Sequence, residues 1–385
     1  MHPLYAAMPI SVFERMSMRA RETGAINLGQ GFPDGAGPPA VLRAAADALL
    51  TRSNQYPPMM GLPELRQAVA SHYAREQGLA LTSDDVVVTS GATEAIAAAI
   101  FALVEAGDEV LMFPPLYDAY APLVRRAGGV PRYVRLEPPE WRIAPEALEA
   151  AASPKLKLVI FNDPLNPSAT IASTEDRAAL ARFCVANDLI AICDEVWEHV
   201  VFDGARHTSL MSEPGMAERS VKIGSAGKIF ALTGWKVGWI CAAPEMAKVL
   251  ARAHQFLTFT TPPNLQYAVA QGLQREAGWT EESRAGFERS RDRLAAGLSR
   301  IGLATQPSAA TWFLSLDLAA SGIGMNDEAF CDWMVEHAGV AGIPISAFYP
   351  EEPVTHLVRL CFAKQDSTLD EALTRLERAL PSLPR

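Results

Sequence analysis

The sequence predicts an α/β protein: a large domain with a mostly parallel sheet flanked by helices, joined to a smaller α/β domain. Three observations predict it. From about residue 85 to 245, short β-branched apolar runs alternate with longer segments rich in Ala, Leu, Glu and Arg, the rhythm of strand–helix units on a parallel sheet. At 385 residues the chain exceeds the size at which one hydrophobic core keeps growing, so two domains are expected. Residues Glu281 to Ile301 then carry apolar side chains at helical spacing among many Arg and Glu, long enough to run from one domain to the next.

The strands of the large domain are expected at Val86–Val88, Val110–Phe113, Leu158–Phe161, Leu189–Cys193, Val221–Ile223 and Val237–Cys241, each followed by a turn or a polar residue. Beyond the long helix, strand-like Trp312–Leu316 and His356–Phe362 flank a helical stretch around Asn326–Glu336, which makes the second α/β layer. The expected division is residues 1–35 as an N-terminal arm and part of the small domain, 36–280 as the large domain, and 281–385 as the small C-terminal domain.

Composition narrows the function classes. Apolar residues make up 49% and charged residues 20%, ordinary for a globular chain, so the protein is expected to fold throughout. A formal charge of -10 repels a polyanion, and nucleic acid is not an expected partner. The five cysteines are scattered without a C-x-x-C pair, which suggests neither a disulfide framework nor a zinc site and fits a reducing cytoplasm. The longest apolar run, Ala95–Val104, is Ala-rich and well short of the ~20 residues that span a bilayer, so it reads as a buried helix. Met1-His2-Pro3 opens the chain with no basic cluster before an apolar stretch, so no secretory signal is expected.

Five motifs carry chemistry. Ser225-Ala226-Gly227-Lys228 precedes Thr233-Gly234-Trp235-Lys236, two lysines and a serine among small residues beside a strand. An amine desolvated near another cation has a lowered pKa and can add to a carbonyl, although two solvated loop lysines would give the same local pattern. Asp194 ends the apolar run Leu189–Cys193, at the carboxyl edge where open α/β sheets bind ligands, and either meets a cation there or caps the next helix. Ser90-Gly91-Ala92-Thr93 follows a strand and opens a helix, so its N–H groups and hydroxyls suit a phosphate, or cap a helix that binds nothing. Asn166 stands between prolines in Asn162-Asp163-Pro164-Leu165-Asn166-Pro167, and Arg359 lies inside the apolar strand Leu357–Phe362, where a guanidinium needs an anion or an open edge. Gly29-Gln30-Gly31 is not a dinucleotide loop, because Pro33, Pro38 and Pro39 oppose a helix directly after it.

Taken together, these motifs resemble the fold-type-I, class I/II aminotransferases, and in particular the kynurenine, glutamine and methionine aminotransferase group. The likeness covers nearly the whole chain, from Asn27-Leu28-Gly29-Gln30-Gly31-Phe32-Pro33-Asp34 through Asn54-Gln55-Tyr56, Ser90–Ala95 and Tyr117-Asp118-Ala119-Tyr120 to Arg359-Leu360-Cys361-Phe362. It implies an aspartate-aminotransferase-like fold and pyridoxal 5'-phosphate as cofactor. Carried over by position, it makes Lys228 the Schiff-base lysine and proton shuttle, and Asp194 the partner of the pyridine nitrogen. It also implies that Asn166 binds the ring O3', that Gly91, Ala92, Thr93, Ser225 and Lys236 hold the phosphate, and that Tyr117 stacks on the ring. Arg359 with Gly31 and Asn166 would take the substrate α-carboxylate. Tyr56 would reach the phosphate across a dimer interface, so the resemblance implies a homodimer with shared active sites.

Two departures stand out. Trp197 occupies the place of the tyrosine in D-E-V-Y, where its indole N–H either donates to O3' or packs on the sheet, and Leu165 replaces the histidine of P-H-N-P. The implied reaction moves an amino group from an L-amino acid to a 2-oxo acid by ping-pong turnover. Arg359 accounts for one carboxylate and no motif identifies a second arginine, so a neutral, aromatic or sulfur-containing donor is expected. A β-lyase on the same fold is a rival reading, marked by pyruvate and ammonia formed without an acceptor. A cofactor-binding transcription regulator is another, but the motifs begin by Asn27 and leave no room before them for a DNA-binding domain.

Overall fold

The computed structural model describes residues 1–383. After a helix over Val12–Thr23, the chain enters a two-residue strand, β1 (Ile26–Asn27). Seven strands then build the central sheet: β2 (Val86–Thr89), β3 (Glu109–Met112), β4 (Val130–Tyr133), β5 (Leu156–Asn162), β6 (Ile190–Asp194), β7 (Ser220–Ser225) and β8 (Gly238–Cys241). Their order is β2-β8-β7-β6-β5-β3-β4, and β8 alone runs against its neighbours.

Helices cover both faces, so inner strands such as β5 read as nearly continuous apolar runs rather than alternating ones. Leu158 and Ile160 of β5 face the core that holds Ile96 and Leu250, while Val159 and Phe161 face the one that holds Leu180 and Cys184. The strand period of two thus places successive side chains in different cores. On the second face, the helix Thr174–Ala186 begins at a capping box in which Ser173 and Asp176 exchange side-chain and backbone bonds.

The second layer has β9 (Ala304–Thr305), β10 (Phe313–Asp317), β11 (Val340–Ala341), β12 (Ile343–Pro344) and β13 (Leu357–Cys361). Four of these form the sheet β12-β13-β10-β9, and β11 pairs in parallel with β1, so the start of the chain joins the layer built by its end. The long helix runs over Ala277–Arg300, starting four residues before its expected limit. At Gly297 a Cβ would stand 2.2 Å from Leu373 Cδ1, so only glycine lets the helix Asp366–Ala379 approach so closely.

Every expected strand is present within a few residues. The strand β4 was not expected: Val130-Pro131-Arg132-Tyr133 is an edge strand with a proline and an exposed side, and it lacks a buried strand's apolar signature. All five cysteines are free and buried. Among the described residues no helix is long and apolar enough to cross a membrane.

Candidate active site

The carboxyl ends of β2, β5, β6 and β7 open onto one cavity of about 240 Å³. This edge of an open α/β sheet is where the polar ends of strands and the N-termini of helices converge. A larger cavity, about 590 Å³, lies elsewhere, beside His72, Arg75 and Arg284, and none of the predicted site residues lines it. Chemistry rather than size therefore selects the smaller one.

Gly91, Ala92, Thr93, Tyr117, Asn166, Asp194, Trp197, Ser225, Lys228 and Lys236 all line the 240 Å³ cavity. Each arrives through a strand end. Gly91 opens the helix Gly91–Leu103 with φ +77°, a conformation that favours glycine, and a Cβ there would come within 3.3 Å of Lys236 Nζ. Backbone N–H groups of the first turn, the Ser225 hydroxyl and the Lys236 ammonium make a cradle for a dianion. The hydroxyls of Thr93 and Tyr117 lie 3.4 Å apart on its wall.

Asp194 ends β6 and is fully enclosed. Burial pushes its carboxyl above the usual carboxylate range, and the hydrogen bond from Tyr120 works in the opposite direction. That bond runs from the Tyr120 hydroxyl to Oδ2 at 2.5 Å, while Oδ1 is buried with no partner. An orphaned carboxylate oxygen in a cavity calls for a cationic or N–H donor. Below it, Asn162 Nδ2 donates to the Asp194 carbonyl at 2.8 Å and Asn162 Oδ1 accepts from the Asn166 backbone N–H at 3.0 Å, so the ends of β5 and β6 are tied together.

Lys228 lies in a single helical turn, Ala226–Ile229, that follows β7 directly. Burial lowers its amine to about 8, with Arg359 and Lys236 adding repulsion and Cys361 and Asp194 opposing. An appreciable neutral fraction therefore exists near neutral pH. Its Nζ stands over the indole rings of Trp197 and Trp312, at 4.3 and 4.8 Å from their centroids.

Arg359, in β13, is buried and ringed by Phe13, Phe313 and Phe348, with its guanidinium carbon 3.8 Å from the Phe313 centroid. Nη1 donates to Asn166 Oδ1 and Nη2 to the Gly29 carbonyl, each at 2.9 Å. Burial pushes the group down to about 9, which still leaves it a cation at neutral pH. Neither Arg359 nor Gly31 is among the residues that line the 240 Å³ cavity. Gly31 packs on Phe313, where a Cβ would lie 2.6 Å from Cζ. Tyr56 does not line this cavity; it is 83% exposed, with its ring 5.4 Å from that of Phe259.

Sequence reasoning assigned no role to Tyr120, Asn162, Gly29 or Trp312. Tyr120 stands in the Tyr117–Tyr120 motif and opens the helix Tyr120–Arg126, and its place in that motif was the available signal. Behind the site, Glu195, Glu198 and His207 bring ligand atoms within 4.8 Å of one another. The Lys222 ammonium contacts both carboxylates, so the chain itself supplies the cation they would share.

The donor set fits pyridoxal phosphate: a helix N-terminus with a serine and a lysine for the phosphate, an unpaired buried carboxylate oxygen for a protonated ring nitrogen, and a lowered amine for the aldehyde. Comparison with known proteins agrees. Residues 23–376 match the family model described as aminotransferase class I and II. The methionine aminotransferase of Escherichia coli K12 is 39% identical over 369 residues, covering 96% of this chain and 95% of that protein. Rat kynurenine–oxoglutarate transaminase 1 is 33% identical, with 93% of each chain covered. The structure of N-succinyldiaminopimelate aminotransferase from Mycobacterium tuberculosis superposes with a TM-score of 0.95 at 43% identity, over 98% of this chain and all of the other. The resemblance read from the motifs is thus the family found: the chain belongs to the class I and II aminotransferases and is a pyridoxal-phosphate enzyme acting on amino acids and 2-oxo acids.

Proposed function

We propose that Lys228 carries the cofactor and moves the substrate Cα proton in an aminotransferase whose donors have neutral, aromatic or sulfur-containing side chains. The observation that carries this reading is the buried, lowered amine of Lys228 sharing one cavity with the unpaired oxygen of Asp194.

When bound, pyridoxal phosphate supplies the electron sink for charge developing at Cα. Asp194 would hold the protonated ring nitrogen, and the hydrogen bond from Tyr120 favours the ionised carboxylate against the effect of burial. Gly91, Ala92, Thr93, Ser225 and Lys236 would bind the phosphate, Tyr117 would stack on the ring, and Asn166 would serve the ring oxygen, with the Trp197 N–H either joining it there or packing on the sheet. Arg359 grips the α-carboxylate through its planar fork, oriented by Asn166 and Gly29, with Gly31 leaving room above Phe313. Lys228 Nζ, once free, takes the Cα proton as general base and returns it as general acid. Donor and acceptor use the same site in turn, which gives ping-pong kinetics.

The substrate preference is supported by the surroundings of Arg359. Three phenyl rings enclose it beside Asn166, and among the described residues no arginine lines the 240 Å³ cavity itself. A distal carboxylate would be desolvated there without a partner. The exposed Tyr56, Leu50, Phe256 and Phe259 support a homodimer in which Tyr56 serves the partner's phosphate site. The pairing of β1 with β11 supports a two-domain division with residues 1–35 and 281–385 in the small domain and 36–280 in the large one.

A single set of assays tests the reading. Borohydride should fix the cofactor to the peptide that contains Lys228, and Lys228→Ala should abolish both that bond and transamination. Methionine, glutamine or an aromatic amino acid should outperform aspartate as donor, with product dependent on an added 2-oxo acid. Normal turnover by Lys228→Ala would reject the assignment of Lys228. Aspartate as the best donor would reject the substrate class, and pyruvate and ammonia released without acceptor would favour a lyase.

A further inference from the structure

Lys228 Nζ occupies a corner between two indole rings. Trp197 and Trp312 meet edge to face, their centroids 4.8 Å apart and their planes at 86°, and the amine stands 4.3 and 4.8 Å from those centroids. The two rings reach the corner from different sheets. Trp197 follows the end of β6 by three residues, whereas Trp312 immediately precedes β10 and is propped by Phe287 of the long helix at 5.5 Å.

Trp312 is fully buried, yet its Nε1 has no hydrogen-bond partner. An orphaned N–H is a cost that phenylalanine or leucine at the same place would avoid. What tryptophan provides in return is the aromatic face with the strongest attraction for a cation. The charged and titratable groups acting on the amine are Cys361, Asp194, Arg359 and Lys236, and two of these repel it. Asp194 is directed to the cofactor. Beside Cys361 and Asp194, the two indole faces give the ammonium a further attraction at close range.

We propose that Trp197 and Trp312 form a two-walled cage that holds the Lys228 ammonium whenever the amine is free, which makes Trp312 a positioning residue for the proton transfer. This rests on the reading of Lys228 as the cofactor-bearing lysine. Because a π face favours the charged form, the cage opposes the effect of burial and keeps the amine near neutrality, where it both takes and gives a proton. The face and the N–H edge of Trp197 are different parts of the ring, so holding the ammonium is compatible with donation to the cofactor oxygen.

The test uses the holoenzyme loaded with pyridoxamine phosphate, in which Lys228 is free. Labelling of Lys228 by fluorodinitrobenzene is followed against pH by mass spectrometry of its peptide. The labelling midpoint should fall by about one pH unit in Trp312→Leu, because a cation–π contact worth roughly that much is removed. Trp312→Phe should fall by less, since its weaker face remains, and it decides the matter should the leucine variant fail to fold. Midpoints identical to wild type in both variants, with cofactor equally bound, would overturn the cage. Borohydride fixation to a peptide without Lys228 would instead overturn the reading of the lysine, and the cage with it.

Discussion

The Tyr120 hydroxyl donates to Oδ2 of Asp194 at 2.5 Å, from 74 positions earlier in the chain, while Oδ1 of the same carboxylate remains unpaired in the cavity. One oxygen is held by the protein, and in the proposed reading the other serves the ring nitrogen. Burial favours the protonated acid, and the phenol favours the carboxylate that the cofactor needs. A hydrogen bond to a charged group is worth about 1.5–3 kcal/mol. Tyr120→Phe is therefore expected to lower kcat by roughly tenfold or more. Asp194→Ala should lose far more, because the ring nitrogen then has no acidic partner. Steady-state rates at saturating cofactor check both; a Tyr120→Phe enzyme as fast as wild type would mean that Asp194 needs no help to stay ionised.

Arg359 presents two N–H groups to Asn166 and Gly29 and is packed among three rings. A lysine would keep the charge but lose the planar fork and the stacking. Arg359→Lys is expected to raise KM for the amino donor at least about tenfold, the loss of one charge-assisted hydrogen bond. Initial rates across donor concentration measure it, and an unchanged KM would remove Arg359 from the carboxylate site.

Lys222 is fully buried between Glu195 and Glu198, and Glu198 also accepts from Tyr73 and Gln77, each at 2.7 Å. Removing the ammonium leaves two carboxylates enclosed without their counter-ion. Lys222→Met should cost about 3–5 kcal/mol of stability, and adding Glu198→Gln should recover part of it. Denaturant unfolding reads both values. A single variant within 1 kcal/mol of wild type would show that the pair is dispensable (roughly the worth of an exposed ion pair).

Acid should weaken the fold beginning near pH 6.5. Burial, with the neighbouring His199, lowers His72 to about 3, and His199 is itself lowered by burial. An unfolded histidine takes its proton near 6.5, so below that pH the unfolded state binds protons that the folded state refuses. Stability is then complete above about pH 6.5 and declines as pH falls toward 3. Glu198, held near 2 chiefly by Lys222 against the cost of burial, adds a further loss below about 4.3. Melting temperatures from pH 8 to 5 should decline less steeply in His72→Gln than in wild type, and parallel curves would exclude His72 as a source.

The sequence by itself determined the sheet, its chemistry-bearing strand ends and the family. An apolar run that ends in Asp194, or in Ser225 three residues before Lys228, is a local pattern, because a strand buried on both faces must be apolar until it reaches the cavity edge. The edge strand Val130–Tyr133 escaped notice for the converse reason: half exposed and carrying a proline, it need not be apolar. Only the tertiary structure decided which groups meet. Gly29 lies 330 positions from Arg359, and Trp312 comes from another sheet to Lys228. Such contacts are set by how sheets and helices pack, and a residue's own neighbours in the chain carry no record of them.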